Sequence, residues 1–202
     1  MTTLTVTEFL TLDGVVQAPG APDEDRSDGF DRGGWLVPYA DADMGALVAA
    51  WFAEADAFLL GRRTYEIFAS YWPKVTDERD PVASKLNALP KYVASTTLRS
   101  VDWEHSTLLR GDVVSEVQRL KREPGRELQV HGSGELLQTL MAHNLVDEYR
   151  LWIYPVVVGK GRRLFRDGAT PGALRLVEST TTSAGVTVNT YRPAGELRTG
   201  SF

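Results

Sequence analysis

The sequence predicts an α/β domain, with a single mixed, mostly parallel sheet flanked by helices and closed by an antiparallel C-terminal hairpin. Three observations carry that expectation. Short β-rich runs alternate with helical apolar stripes as far as Asn144. At "LLGRRT" and "VHGSGELL" a strand passes through glycine into a helix, the connection an α/β layer needs. Beyond Asn144 the helical pattern stops and β-rich runs remain, with a turn signal between the last two.

In chain order, "LTVTEFLTL" alternates in the manner of a strand, and the pair Asp13-Gly14 ends it. From Ala18 to Trp35 the chain is polar, acidic and rich in Gly and Pro. A loop of this length is a lid, a binding loop or a disordered segment, and the residues leave these open. "DADMGALVAAWFAEA" predicts a helix, because acidic residues precede an apolar stripe at Met44, Leu47, Val48, Trp51 and Phe52. "DAFLLG" reads as a short buried strand, and "RRTYEIFASYW" as a helix with Tyr65, Phe68, Ala69 and Trp72 on one stripe. The pattern repeats as strand "KYVAS", helix "DVVSEVQRLKRE", strand "ELQVHG" and helix "GELLQTLMAHN". "EYRLWIYPVVV" is apolar enough for a core strand and for a subunit interface. "LRLVESTTT" and "GVTVNTYRP" flank Ser183 to Gly185 as a hairpin. No repeat or linker divides the chain, so one domain is expected over residues 1–202, its tail from about residue 194 peripheral.

With 43% hydrophobic residues in 202, the chain has material for one full core. Its 22 Lys+Arg against 27 Asp+Glu leave a formal charge of -5, a field that repels polyanions, so no nucleic-acid partner is expected. The absence of cysteine removes disulfides, thiolate nucleophiles and thiolate metal sites together. His105, His131 and His143 lack metal-ligand spacing, and no metal is expected. No run reaches about 18 apolar residues and no signal-peptide pattern opens the chain. A soluble, cytoplasmic protein without a membrane partner is the expectation.

The two glycine junctions hold the candidate chemistry. Each presents free backbone N–H groups and the positive end of a helix dipole, an arrangement that suits a phosphate. Gly132, Ser133 and Gly134 let the backbone approach an anion, with the Ser133 hydroxyl as a further donor. Arg62 or Arg63 could fork onto a phosphomonoester such as an adenosine 2'-phosphate, with Thr64 beside it; both could equally be solvated first-turn residues. A Rossmann domain would carry its glycine fingerprint near the N-terminus, whereas here the glycine turn comes at residue 132 and the arginines come first.

In that order, "LLGRRTYE", "YVASTTL", "VHGSGELLQTL", "YPVVVGKGRRLF" and a closing hairpin resemble the dihydrofolate reductase-like superfamily. The branch they resemble is the one related to the reductase domain of the bifunctional riboflavin-biosynthesis protein. The resemblance runs from Leu4 to about Arg192. It implies NADPH as cofactor and a homodimer. Gly61, Arg62, Arg63 and Thr64 would hold the adenosine phosphate end, and Ser95 and Thr96 would form the second wall of the adenosine site. Gly132, Ser133, Gly134 and Glu135 would form the pyrophosphate loop, with Leu136 beneath the nicotinamide. "LTLDG" and the loop after it would border the substrate pocket.

True dihydrofolate reductases hold the pterin with a carboxylate on the first helix. Matching "AAWF" puts Val48 near that place, and Asp41 and Asp43 lie one to two turns too early to replace it. Folate is therefore not the expected substrate. Asp13 is the remaining candidate for a catalytic or anchoring acid, although an Asp-Gly pair after a strand is also an ordinary turn. Trp35, Val48, Tyr65, Phe68, Trp72 and Tyr154 are the candidate lining of a substrate pocket, and the same aromatic stripe also suits a core. The expected activity is hydride transfer from NADPH to a small heterocyclic or carbonyl substrate. The pyrimidine reductase of riboflavin biosynthesis, of the 5-amino-6-(5-phosphoribosylamino)uracil reductase type, and a nucleotide-binding module without turnover are the alternatives.

Overall fold

Residues Thr3–Thr11 form β1, whose side chains alternate in chemistry but not in exposure. In the computed structural model, which describes residues 1–201, β1 takes an interior position and is covered on both faces. Leu4, Val6 and Leu10 point to one layer, where they pack with Val117, Leu120, Leu136, Leu137 and Leu140. Phe9 points to the other, against Trp152 and Tyr154.

The remaining elements follow the expected alternation. Helix α1 (Ala42–Glu54) starts where the Asp41 carboxylate accepts from the Met44 N–H at 2.8 Å. It leads to β2 (Ala55–Gly61) and α2 (Arg62–Tyr71). A helix the apolar pattern did not reveal, α3 (Pro81–Ala88), comes next, started by Asp80 and by proline at its first position. Then come β3 (Lys91–Ala94), the four-residue β4 (Ser106–Leu109), also unforeseen, α4 (Val113–Arg122) and β5 (Glu127–His131). The order ends with α5 (Gly134–Ala142), β6 (Glu148–Tyr154), β7 (Leu174–Thr181) and β8 (Thr187–Pro193).

The eight strands form one sheet in the order β4-β3-β2-β5-β1-β6-β8-β7. Six run parallel, while β8 is antiparallel to both β6 and β7, as the loss of helical pattern after Asn144 predicts. Helices α4 and α5 cover one face. On the other, two apolar clusters lie side by side with Val48 of α1 packed against both.

β6 lies between β1 and β8 with six of its seven residues buried, so "EYRLWIY" is the expected core strand, while Val157 in the "PVVV" that follows is exposed. The six aromatic and aliphatic candidates for the substrate pocket fall in two neighbouring apolar clusters, with Val48 packed against both. Trp35 and Tyr154 meet edge to face at 5.3 Å in the cluster under the β1–α1 loop. Tyr65, Phe68 and Trp72 pack with Phe52, Phe58 and Trp103 around β2 and β3. Tyr65 is committed further, since its hydroxyl accepts from the Asp102 and Trp103 N–H groups.

Candidate functional site

β2 and β5 are parallel neighbours, so the chain leaves both at the same edge of the sheet and the two glycine turns come together. Their meeting is specific. Gly132 and Ser133 are consecutive left-handed residues at φ +58° and +68°, and the Gly132 N–H donates to the Thr7 carbonyl at 3.2 Å. That turn carries the Ser133 hydroxyl to α2, where it accepts from the Gly61 N–H at 2.9 Å and donates to the Thr64 hydroxyl at 3.0 Å. A side chain on Gly61 would meet Ser133 at 3.4 Å, an ordinary contact distance. Ser133 thus stitches the two turns together rather than offering its hydroxyl to a ligand, and Thr64 holds the hydroxyl proton left to give.

The edge has a third wall. β3 pairs with β2 so that Gly61 sits beside Ala94, and the chain continues into Ser95 and Thr96. The Ser95 hydroxyl accepts from the N–H groups of Thr97 and Leu98, which folds the segment toward α2. The Arg62 guanidinium bonds Glu66 and the Thr97 hydroxyl, each at 2.8 Å. Thr97 was invisible to the sequence reading, because its role depends on β3 lying next to β2. Neither α2 nor α5 has a side-chain N-cap, which leaves their first N–H groups facing this edge. Leu136 is buried under the second turn. Glu135 pairs with Arg166 at 2.6 Å, and the hydrogen bond from that guanidinium holds its carboxyl below the ordinary value.

Asp13 does not act as a free acid here. Its carboxylate accepts from the Thr11 hydroxyl at 2.6 Å, the Gly159 N–H at 2.9 Å and the Val158 N–H at 3.2 Å, clasping the β1 turn to the loop after β6. Burial pushes its pKa up, but the hydrogen bonds outweigh that and hold it low, the state of a capping carboxylate. Val48 is half-buried at the seam of the two clusters, with no acid beside it on α1. His131, at the end of β5, stacks on Phe52 at 4.6 Å. Burial first and Arg150 second depress its pKa to about 3, so the ring is neutral at working pH.

The residues 18–35 are an ordered cover. Phe30 and Ala18 are buried, and the Trp35 indole donates to the Gln17 carbonyl at 2.9 Å. Between these anchors, Asp25 bonds Arg63 of α2 and Arg162 of the loop after β6. Arg63 is therefore held by the chain itself, a partner the sequence could not reveal. A groove of about 1140 Å³ lies elsewhere, between α2, α3 and residues 98–104, and touches neither glycine turn. Among the described residues, no group of three or more His, Cys, Asp or Glu could hold a metal ion, and no helix is long and apolar enough to cross a membrane.

A mixed sheet of this order, with two glycine turns joined at its carboxyl edge, defines a dihydrofolate reductase-like domain. Residues 2–188 match the family model of the RibD C-terminal domain, and the chain belongs to that family. It is 32% identical over 187 residues to the uncharacterized protein YyaP of Bacillus subtilis (strain 168), covering 90% of each chain. A protein of Shewanella sp. PV-4 described as a riboflavin biosynthesis protein superposes with a TM-score of 0.71 at 20% identity, over 95% of this chain and 99% of that one. A Thermotoga maritima protein named as a diaminohydroxyphosphoribosylaminopyrimidine deaminase/5-amino-6-(5-phosphoribosylamino)uracil reductase matches with a TM-score of 0.63 at 16% identity. The match covers 96% of this chain and 57% of that protein.

Proposed function

We propose that the protein is an NADPH-dependent reductase of the pyrimidine reductase type, acting on a substrate of the 5-amino-6-(5-phosphoribosylamino)uracil class. The observation that carries the reading is the Ser133 stitch, which brings two uncapped helix N-termini and a left-handed glycine to one edge of the sheet in a chain of the RibD C-terminal family. Membership of that family moves the reading from heterocyclic and carbonyl substrates in general to the aminouracil type.

The donor set fits a dinucleotide. The left-handed turn at Gly132 would let the Ser133 and Gly134 backbone N–H groups approach the pyrophosphate, and Thr64 would add a hydroxyl. Arg62, Ser95 and Thr96 would hold the adenosine end, with Leu136 under the nicotinamide. A bound nicotinamide cofactor would supply hydride chemistry at this edge. The chain's own part is to orient the two rings and to exclude water, since Asp13 is engaged as a cap and His131 stays neutral. That engagement also favours the second reading, a nucleotide-binding module without turnover.

Cofactor choice tests the site. Arg62→Ala is expected to weaken NADPH binding about tenfold or more at low salt while leaving NADH nearly unchanged, because a charge-assisted contact is worth about 1.5 to 3 kcal/mol. Fluorescence titration with both cofactors measures it. Equal loss for both would make Arg62 a structural residue that ties α2 to Thr97.

A further inference from the structure

Asp25 sits in an unusual position for a loop carboxylate. One of its oxygens, Oδ2, takes the guanidinium groups of both Arg63 and Arg162, which come from elements far apart in sequence. The other, Oδ1, is satisfied within the loop by the Ser27 N–H at 3.1 Å and the Ser27 hydroxyl at 2.6 Å. The Asp25 side chain is only 10% exposed. The arrangement is a built cradle: Gln17 donates to the Asp25 and Ser27 carbonyls at 3.2 and 3.1 Å, and its Oε1 accepts from the Arg162 N–H at 3.1 Å. Arg162 also lines, with Lys160, Gln17, Asp28, Phe30 and Gly161, a cavity of about 270 Å³ that Arg63 and Asp25 do not reach.

The two cations are matched by two acids of unequal burial. Two guanidinium groups share one buried carboxylate, and the second acid near Arg162, Asp28 at 3.2 Å, is 82% exposed and weakly held. Burial and the neighbouring Arg166 already weigh against the charge of Arg162. A phosphate-class dianion would match the cation pair better than a single carboxylate does, and its oxygens would accept both forks at once.

We infer that Arg63 and Arg162 form an anion subsite for a phosphate-class ligand, and that Asp25 fills this subsite as an internal counter-ion until the ligand displaces it. Displacement frees the strap of residues 20–29, whose two ends remain pinned by the buried Ala18 and Phe30. Arg162 thereby becomes a ligand-binding residue, and Asp25 an autoinhibitory one. The physiological ligand rests on the dinucleotide reading above; the chemistry of the subsite does not.

The test uses inorganic pyrophosphate on the intact protein, followed by calorimetry and by limited trypsin cleavage after Arg26, which lies exposed on the strap. For the unmodified protein, pyrophosphate is expected to speed cleavage at Arg26. Asp25→Asn, close in shape and without the charge, is expected to bind pyrophosphate about tenfold more tightly and to be cut quickly without ligand. Arg162→Gln is expected to lose about tenfold in pyrophosphate affinity, which keeps the proposal testable if Asp25→Asn fails to fold. Unchanged or weaker binding by folded Asp25→Asn, unchanged binding by Arg162→Gln, or protection of Arg26 by pyrophosphate would each overturn it. NADPH titrated in parallel separates the two readings: the same pattern with pyrophosphate and no NADPH binding supports the subsite while removing the cofactor assignment.

Discussion

Glu8→Gln is expected to stabilise the protein by about 3 kcal/mol at pH 7 and by up to roughly 5 kcal/mol above pH 8. Glu8 lies in the middle of β1, 3% exposed, on the face that carries Val6 and Leu10, and one of its carboxyl oxygens has no hydrogen-bond partner among the described residues. Burial pushes its pKa from 4.5 up to about 8, only partly opposed by a hydrogen bond from the Phe9 N–H. The sign follows from the two states. The unfolded chain releases the proton near pH 4.5 and the folded chain keeps it until about pH 8. Glu8 therefore costs nothing below about pH 4.5, stability is lost as pH rises between the two values, and the loss is constant beyond. Glutamine keeps the shape and cannot ionise. Urea unfolding of both proteins at pH 5 and pH 8 should show a small gap at the first and a large one at the second; a gap independent of pH would mean that Glu8 is solvated in the folded state.

Arg150→Ala should act in the opposite direction, costing about 3 to 5 kcal/mol. Arg150 projects from β6 into a polar row across β5, β1 and β6. It bonds Glu127 at 2.5 Å and Glu148 at 3.0 Å and lies over the Trp51 ring at 5.0 Å. The side chains of Arg150 and the two glutamates are 9%, 14% and 8% exposed, so removal of the cation strands two buried carboxylates. Arg192 still holds Glu148 at 2.9 Å, which leaves Glu127 the more damaged. Adding Glu127→Gln to Arg150→Ala is expected to recover part of the loss, because it removes the stranded charge. Additive losses in that double-mutant cycle would contradict the network.

These two groups mark where the sequence reading stopped. The order of elements was legible, because apolar periodicity and glycine turns are local signals and the sheet followed them. The alternation of β1 was read as that of an ordinary strand, yet Thr5, Thr7 and Glu8 are buried as fully as Leu4 and Val6. The threonines are not a solvent face; they belong to a polar row that only the pairing of β5 and β6 with β1 creates. An acid within a β-branched run, and polar or charged residues at alternate positions of "ELQVH" and "EYR", were the available signals. Helix α3 was also signalled, by Asp80 before Pro81, a start rule independent of apolar stripes. The two glycine turns could be found from sequence, whereas the Ser133 stitch, the Thr97 contact and the Asp25 clasp join residues 35 to 137 positions apart and had no local trace. Helical spacing likewise shows that residues share a face, but not which cluster that face meets: Trp35 and Tyr154 lie in one cluster, and Tyr65, Phe68 and Trp72 in the other.

The most direct measurement is NADPH oxidation by the purified protein with 5-amino-6-(5-phosphoribosylamino)uracil, beside dihydrofolate as control, each at up to about a millimolar. The account predicts turnover with the aminouracil on the order of 1 to 10 per second, and no more than a trace with dihydrofolate, since Val48 leaves a buried pterin donor without its acid. NADPH binding with no oxidation of either substrate, or rapid turnover of dihydrofolate alone, would contradict it.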